Sequence, residues 1–296
     1  FIAMRYAAID IGTNSCRLLI ADKDKEYNRL IPVYKDLKTT RLGEGVNARG
    51  TISVPAMQRT IDCLAGFQQC INEYQAHAWE AVATSAVRDA DNRDEFIAMA
   101  ANQCSLPIRI LDGQEEAYLS YTGVKNGLKL EHPPLVVDLG GGSTEFILED
   151  KELFLLSLPL GAVRVTEAKM PIGTVAKILS PVAMQKARFN SHPLVFVGGT
   201  ATTIVAIKLS LEEYRSELIH GEVLDRCEVA DIYNMLERMP LNLRRRLPGL
   251  QPERADVITK GTQILLLIVD FFTKQEIIIS ESDLLEGIIW DFSIAK

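Results

Sequence analysis

Asp10-Ile-Gly-Thr-Asn-Ser-Cys-Arg-Leu-Leu-Ile20 and Asp138-Leu-Gly-Gly-Gly-Ser-Thr-Glu-Phe-Ile-Leu148 are the two stretches on which the fold turns. Set one above the other, they share Asp, Gly and Ser at the first, third and sixth places. The second, ninth, tenth and eleventh places are apolar in both. Each copy reads as an apolar strand, an Asp, a Gly-rich turn and a second apolar strand. A repeat this far apart, longer than a solenoid unit, reads as two related domains. The expected fold is α/β, with two domains facing each other across an interdomain cleft.

The chemistry of such a hairpin follows from its residues. Glycine lets backbone N–H groups come close to an anion, and successive N–H groups in a tight turn form an anion nest. Thr13, Ser15, Ser143 and Thr144 add hydroxyl donors. Asp10 and Asp138, at the strand ends, are candidates to hold Mg²⁺, which favours oxygen ligands and phosphate. The copies differ at one telling place, where Arg17 in the first stands against Glu145 in the second. Arginine suits bidentate phosphate binding. A carboxylate beside phosphate is costly unless it binds metal or activates water, so the pair points to hydrolysis rather than binding alone. A third glycine turn, Gly198-Gly199-Thr200, opens a helix whose N-terminus attracts anions; the plainer reading is a strand-to-helix turn capped by Thr. No Gly-Lys dipeptide occurs, which excludes a Walker A loop, and neither G-x-G-x-x-G nor G-x-S-x-G is present.

Outward from the first hairpin, residues 27–34 read as a third strand. Ser53 caps a helix with Pro55 in its first turn, and Met57, Ile61, Leu64, Ile71 and Tyr74 form its apolar stripe. Strands are expected at 79–84 and 106–111, with helices at 92–104 and 114–124. After Pro133-Pro134 the pattern restarts, with strands at 135–138 and 194–197 and a helix from about Thr200. A long apolar helix over 253–272, a short buried strand at 277–279 and a terminal helix at 283–292 complete the chain. The expected domains are 4–124 and 125–296, with the terminal helix (283–294) free to pack back on the first. Arg244-Arg245-Arg246 reads as a solvated basic turn rather than a polyanion track.

Composition narrows the class. The chain has 296 residues, 32 Lys and Arg against 39 Asp and Glu, a net charge of −7, 47% hydrophobic and 24% charged residues. These values exclude a disordered or collagen-like chain. The acidic balance argues against a nucleic-acid partner, which selects a basic surface; a polyanionic small substrate is compatible where recognition is local. The apolar run 264–269 is far short of the roughly 20 residues of a spanning helix, and charges at Arg5 and Asp10 interrupt any signal-peptide core. No membrane partner is expected. Met4 reads as the natural start. Five cysteines, odd in number and without C-x-x-C, read as reduced thiols in a cytoplasmic protein. Four histidines without H-x-x-x-H argue against zinc.

Strand, Asp, Gly-turn, strand, repeated in two domains, resembles the actin-like (ribonuclease H-like) ATPase superfamily. Several stretches narrow this to the exopolyphosphatase/guanosine pentaphosphate phosphohydrolase (Ppx/GppA) family: the two hairpins, Ala83-Thr-Ser-Ala-Val-Arg-Asp-Ala90, Gly113-Gln-Glu-Glu-Ala117, Leu158-Pro-Leu-Gly-Ala-Val-Arg164, Val197-Gly-Gly-Thr-Ala-Thr-Thr203 and Pro252-Glu-Arg-Ala-Asp-Val-Ile258. The resemblance runs from about Met4 to Phe292. It implies hydrolysis of a terminal phosphate with Mg²⁺, from inorganic polyphosphate or from a guanosine 5′-triphosphate 3′-diphosphate alarmone. It also implies Glu116 as the base that activates water, Glu145 as the second carboxylate and Asp138 as a metal ligand. Asn14, Ser15, Cys16 and Arg17 match the first phosphate loop, Gly140, Gly141, Gly142, Ser143 and Thr144 the second, and Arg88 a phosphate-contacting arginine. Adjacent Glu115 and Glu116 point about 100° apart on a helix, so one of them faces the site. Two departures bear on substrate choice: Asp112 replaces the family's Ser before Gly113, and residues 169–193 are short. The end near Phe292 implies the short form, without extra helical domains, and a homodimer is compatible with it. The leading expectation is an exopolyphosphatase. The alternatives are a hydrolase of the guanosine alarmone and a nucleotide-binding regulator with little turnover; a kinase fits less well, because a water-activating carboxylate pair invites wasteful hydrolysis.

Overall fold

The computed structural model describes residues 4–24 and 26–294. Strand β1 (Met4–Ile11) runs antiparallel to β2 (Ser15–Asp24), and β2 antiparallel to β3 (Arg29–Thr39). Strands β4 (Ala78–Ala83) and β5 (Ile108–Ile110) then add in parallel, giving the order β3-β2-β1-β4-β5. Side chains alternate across a strand, and the sequence uses both faces. Ala7, Ile9 and Ile11 join Cys16, Leu18 and Ile20 against the helices Val54–Glu73 and Arg93–Cys104. Tyr6 and Ala8 join Leu19 and Ala21 on the other face, with Leu119 of helix Gly113–Leu128 and Leu285, Ile288 and Ile289 of helix Leu284–Ile294. Burial of each such aliphatic side chain is worth about 2 kcal/mol over exposure.

The second sheet repeats this plan. β6 (Leu135–Leu139), β7 (Thr144–Glu149) and β8 (Leu153–Leu158) form an antiparallel meander. β9 (Leu194–Val197) lies parallel to β6, and β11 (Glu276–Ile279) parallel to β9. β10 (Val223–Asp225) is an added antiparallel edge, for the order β10-β11-β9-β6-β7-β8. Both sheets thus place an antiparallel meander first and parallel crossovers second. The chain separates into two compact units. One runs to Gly127 and takes in the segment from Leu284 onward; the other is Leu128–Asp283.

Four local expectations differ. β3 runs to Thr39, five residues past the expected end at 34, because its partner β2 continues as a ladder back to Ser15. The helix expected from 253 starts at Ile258, after a 3₁₀ turn at Pro252–Arg254. The Ala255 carbonyl, which a continuous helix would use, instead accepts Arg244 Nη1 at 2.9 Å. Arg244 also caps Leu236 and Met239 carbonyls, so one of the three consecutive arginines is a structural plug and not part of a solvated turn. At the third glycine turn no threonine side chain caps the helix Gly199–Lys208. Gly198, at φ 92°, provides the bend, and Thr203 Oγ1 bonds back to the Gly199 carbonyl at 2.6 Å.

Candidate active site

In the first unit the β1–β2 turn is closed by Gly12 N–H donating to the Ser15 carbonyl at 3.0 Å, with Thr13 and Asn14 exposed at its tip. A segment that the sequence reading passed over holds this tip. Thr40 and Arg41 N–H groups donate to the Asn14 carbonyl at 3.1 and 2.8 Å, and Gly43 N–H to the Thr13 carbonyl at 2.8 Å. Arg41 takes the left-handed conformation (φ 50°) to do so and carries its side chain exposed. Thr13 Oγ1 lies 2.8 Å from Ser85 Oγ, joining the turn to the short helix Ser85–Arg88.

Asp10 and Arg17 are directly opposite in the β1–β2 ladder, and the guanidinium grips one carboxylate oxygen through Nε (3.0 Å) and Nη2 (2.8 Å). Asp10 is 6% exposed, so the buried acid fixes the arginine at the strand end. Cys16 is fully buried, backbone included, between Ile11 and Lys38 in the ladder, so unlike Thr13 and Asn14 it presents nothing at the hairpin surface.

Arg88 Nη1 donates to Glu116 Oε2 at 3.0 Å and to the Leu111 carbonyl at 3.0 Å, so the two residues that the motifs singled out separately form one pair. Capping sets the adjacent glutamates apart. Asp112 Oδ1 accepts the N–H groups of Gln114 and Glu115 at 2.8 Å each, and Glu115 Oε2 accepts Asp112 N–H at 3.2 Å. This reciprocal capping box occupies Glu115, which also bridges to Arg109 at 3.1 Å. Glu116 is left on the Arg88 side, half-buried.

In the second unit Asp138 and Glu145 are directly opposite in the β6–β7 ladder, the places that Asp10 and Arg17 take in the first. Ser157, opposite Glu145 on β8, donates its hydroxyl to Glu145 Oε1 at 2.8 Å. Gly198 packs against Asp138, where an added Cβ would stand 3.1 Å from Oδ1. The Gly140–Gly142 turn is closed by Gly140 N–H to the Ser143 carbonyl at 3.0 Å, with Gly141 and Gly142 exposed. The Thr144 hydroxyl is buried and bonds to the Leu160 carbonyl. Arg164 Nε donates to the Gly142 carbonyl at 2.7 Å, while the N–H groups of Ala162, Val163 and Arg164 bond the carbonyls of Gly140 and Gly141.

The model of the Ppx/GppA phosphatase family matches residues 19–294. The chain belongs to the Ppx/GppA phosphatase family. It is 34% identical to exopolyphosphatase 2 of Mycobacterium tuberculosis, over 96% of this chain and 97% of that protein. It is 36% identical to the bifunctional 3-dehydroquinate synthase/phosphatase of Fusobacterium nucleatum, over 96% of this chain and 46% of that protein; the chain spans about half the length of that relative. The crystal structure of the Aquifex aeolicus Ppx/GppA member superposes with a TM-score of 0.83 at 28% identity, covering 99% of each chain.

This Ppx/GppA chain thus assembles its candidate residues in two groups. Thr13–Arg17, Arg88 and Glu116 lie in the first unit; Asp138, the loop from Gly140 to Thr144, Glu145 and Gly198–Thr200 lie in the second. Sequence reading missed Arg41, Ser157, Arg164 and Arg254, whose guanidinium covers Gly199. Ser157 was legible only through strand pairing, since nothing local marks a serine in an apolar run. Arg164 and Arg254 stand within motifs quoted above, but their contacts are long-range.

Proposed function

We propose that this chain is an exopolyphosphatase, hydrolysing the terminal phosphate of inorganic polyphosphate by attack of water. The observation that carries the proposal is the Glu116 carboxylate fixed by Arg88 while Glu115 is diverted into the helix cap. Glu116 then accepts the proton from the attacking water, and Arg88 holds it in place and offers its remaining N–H groups to a phosphate oxygen. Arg17, pinned by Asp10, binds phosphate, and the N–H groups of Thr13, Asn14 and Ser15 and of the Gly140 to Ser143 loop receive the chain's other oxygens. Gly198, Gly199 and Thr200, at a helix start, are a further anion-binding turn. Glu145, oriented by Ser157, supports the water.

Magnesium suits the donor set. Carboxylates directly opposite in an antiparallel ladder repel at roughly 5 Å between Cβ atoms, and Asp138 and Glu145 stand so. Among the described residues no group of three or more His, Cys, Asp or Glu is gathered for a metal. Asp138 would therefore hold the ion with Glu145 nearby, the remaining ligands being phosphate oxygens and water, as Mg²⁺ prefers. In this reading Asp10 serves Arg17 first, because that guanidinium already occupies one of its oxygens. Bound magnesium would neutralise charge on the transferring phosphoryl group.

The 34% identity to exopolyphosphatase 2 supports polyphosphate as the substrate. No helix among the described residues is long and apolar enough to cross a membrane, and the thiols are all free, in keeping with the proposed cytoplasmic setting. The test measures phosphate release with Mg²⁺ from polyphosphates of several lengths and, side by side, from the guanosine 5′-triphosphate 3′-diphosphate alarmone. Faster release from polyphosphate is expected; faster release from the alarmone overturns the substrate, and tight binding without release overturns the reaction.

A further inference from the structure

The carbonyl oxygens of a hairpin tip are the negative ends of dipoles, and left facing an anion they repel it. A strap of residues 40–43, directly after β3, draws them away from the β1–β2 tip. Thr40 and Arg41 N–H groups share the Asn14 carbonyl, and Gly43 N–H takes the Thr13 carbonyl. The N–H groups of Thr13 and Asn14 have no acceptor among the described residues, so the tip keeps both donors for a ligand. The second unit repeats the device after β8. Ala162 N–H bonds the Gly140 carbonyl at 3.1 Å, and Val163 and Arg164 N–H groups share the Gly141 carbonyl at 2.9 and 3.0 Å. Each strap carries an arginine. In the second unit Arg164 Nε is occupied by the Gly142 carbonyl at 2.7 Å; in the first, Arg41 has no such duty.

Arg41 is nevertheless fixed in place. Thr40 and Leu42 on either side are buried, Arg59 Nε holds the Thr40 carbonyl at 3.1 Å, and a Cβ on Gly43 would collide with Thr13 Cγ2. Its backbone is held at φ 50°, a left-handed region costly for such a side chain. Among the described residues the other non-glycine residues at positive φ end a helix or, like Asn28, sit in the β2–β3 turn. Arg41 does neither, and strain of this kind collects at ligand sites. Its guanidinium is exposed. In the first unit Arg5, Arg17, Arg29, Arg59, Arg88 and Arg109 each hold a carboxylate, and Arg49 and Arg93 hold carbonyls. Among the described residues Arg41 alone of these arginines has no side-chain hydrogen bond or ion pair. We propose that Arg41 is a further phosphate-binding residue, its guanidinium taking oxygens of the polyphosphate chain at the Thr13-Asn14 tip, a role that rests on the exopolyphosphatase reading. A planar fork on a fixed backbone matches a phosphate group bidentately. Asp10 and Glu116 already offset part of the charge of Arg17 and Arg88, whereas Arg41 brings its whole charge to the chain. With no bond to the Arg88–Glu116 pair, it holds the chain equally before and during phosphoryl transfer, an effect that shows in KM and not in kcat.

Arg41→Asn separates binding from structure, because asparagine takes the left-handed region more readily than arginine. Phosphate release from polyphosphate with Mg²⁺ is followed together with the denaturant midpoint. Expected are a KM about tenfold higher, a kcat within about twofold of the parent, and a midpoint equal to or above the parent's. Arg41→Lys recovers part of the KM, as a point charge without the fork. Arg29→Gln, at the other end of β3, removes the same charge and leaves KM unchanged. A KM for Arg41→Asn within about twofold of the parent overturns the proposal. So does a lower midpoint with kcat lost in step, which marks a structural role, or an equal KM rise in Arg29→Gln, which marks the general field. If the parent releases no phosphate, the exopolyphosphatase reading fails alone. Polyphosphate affinity by titration calorimetry, parent against Arg41→Asn, then decides Arg41: a loss of about tenfold upholds the role, while equal affinity, or no binding by the parent, overturns it.

Discussion

Glu116 shows how much chemistry one helical residue draws from its neighbours. Its twin, Glu115, is spent on the Asp112 cap, so replacing Glu116 removes the proposed base without loosening the helix start. Glu116→Gln is expected to lower turnover by at least about a hundredfold with an unchanged melting curve; phosphate release together with circular dichroism checks both halves. Ser157 acts through Glu145, and its loss leaves a carboxylate oxygen without its 2.8 Å donor. Ser157→Ala should lower kcat roughly tenfold with little change in KM, and Ser157→Thr should restore most of it. Asp150 gives a pH signature away from the site. Arg188 grips it through Nε at 2.9 Å, and that bond, with the Lys151 N–H, depresses the Asp150 acid well below the usual carboxylate range. A depressed folded-state pKa contributes stability above the unfolded value of about 3.9 and loses it as pH falls toward the folded value. The stability gap between parent and Asp150→Asn should therefore be constant at neutral pH and shrink below about pH 4, as read from denaturant midpoints.

At the scale of elements, the Gly140–Gly142 loop depends on what lies behind it. Gly161 begins the helix Ala162–Glu167, and a Cβ there would collide with the backbone of Gly141 and Gly142. Backbone cannot step aside as a flexible side chain can. Gly161→Ala should cost about 1–3 kcal/mol, seen as a lower unfolding midpoint. It should also reduce phosphate release more than that modest loss would suggest, because the amides proposed to bind phosphate move with the loop. The same scale shows where sequence reading succeeded. The two hairpins and the Ser53-capped helix were legible because turn glycines, a cap and a strict apolar stripe are local signals. β8 and the late start of the Ile258–Phe271 helix were not. An unbroken apolar run carries no period to read, and the Ala255 carbonyl is claimed by Arg244, far enough away in sequence to leave no local mark.

For the whole molecule, the terminal helix matters most. Leu284–Ile294 belongs to the first unit, where Leu285, Ile288 and Ile289 complete the apolar layer on Tyr6, Ala8 and Leu19. Gly287 lets it approach the helix Gly113–Leu128, since a Cβ would run into the Leu119 carbonyl. Glu286 is 6% exposed and is held by Lys35 at 3.0 Å. Gly287→Ala should therefore destabilise by about 1–3 kcal/mol. Gly66→Ala, in open space on the helix Val54–Glu73, should leave stability unchanged or raise it by up to about 1 kcal/mol. Denaturant midpoints of both variants against the parent measure the contrast.

The sequence by itself determined the repeated strand–Asp–turn–strand plan, the α/β class and the residues of the two turns, because each depends on neighbours within a dozen positions. Only the tertiary structure decided the partnerships. Asp10 holds Arg17, Arg88 holds Glu116 and Ser157 holds Glu145, through strand register and helix packing between residues from 7 to 28 positions apart. A short-range pattern can specify which groups are present. Which of them touch depends on how the apolar faces close on one another, and that free energy is shared across the whole layer rather than written at any one residue.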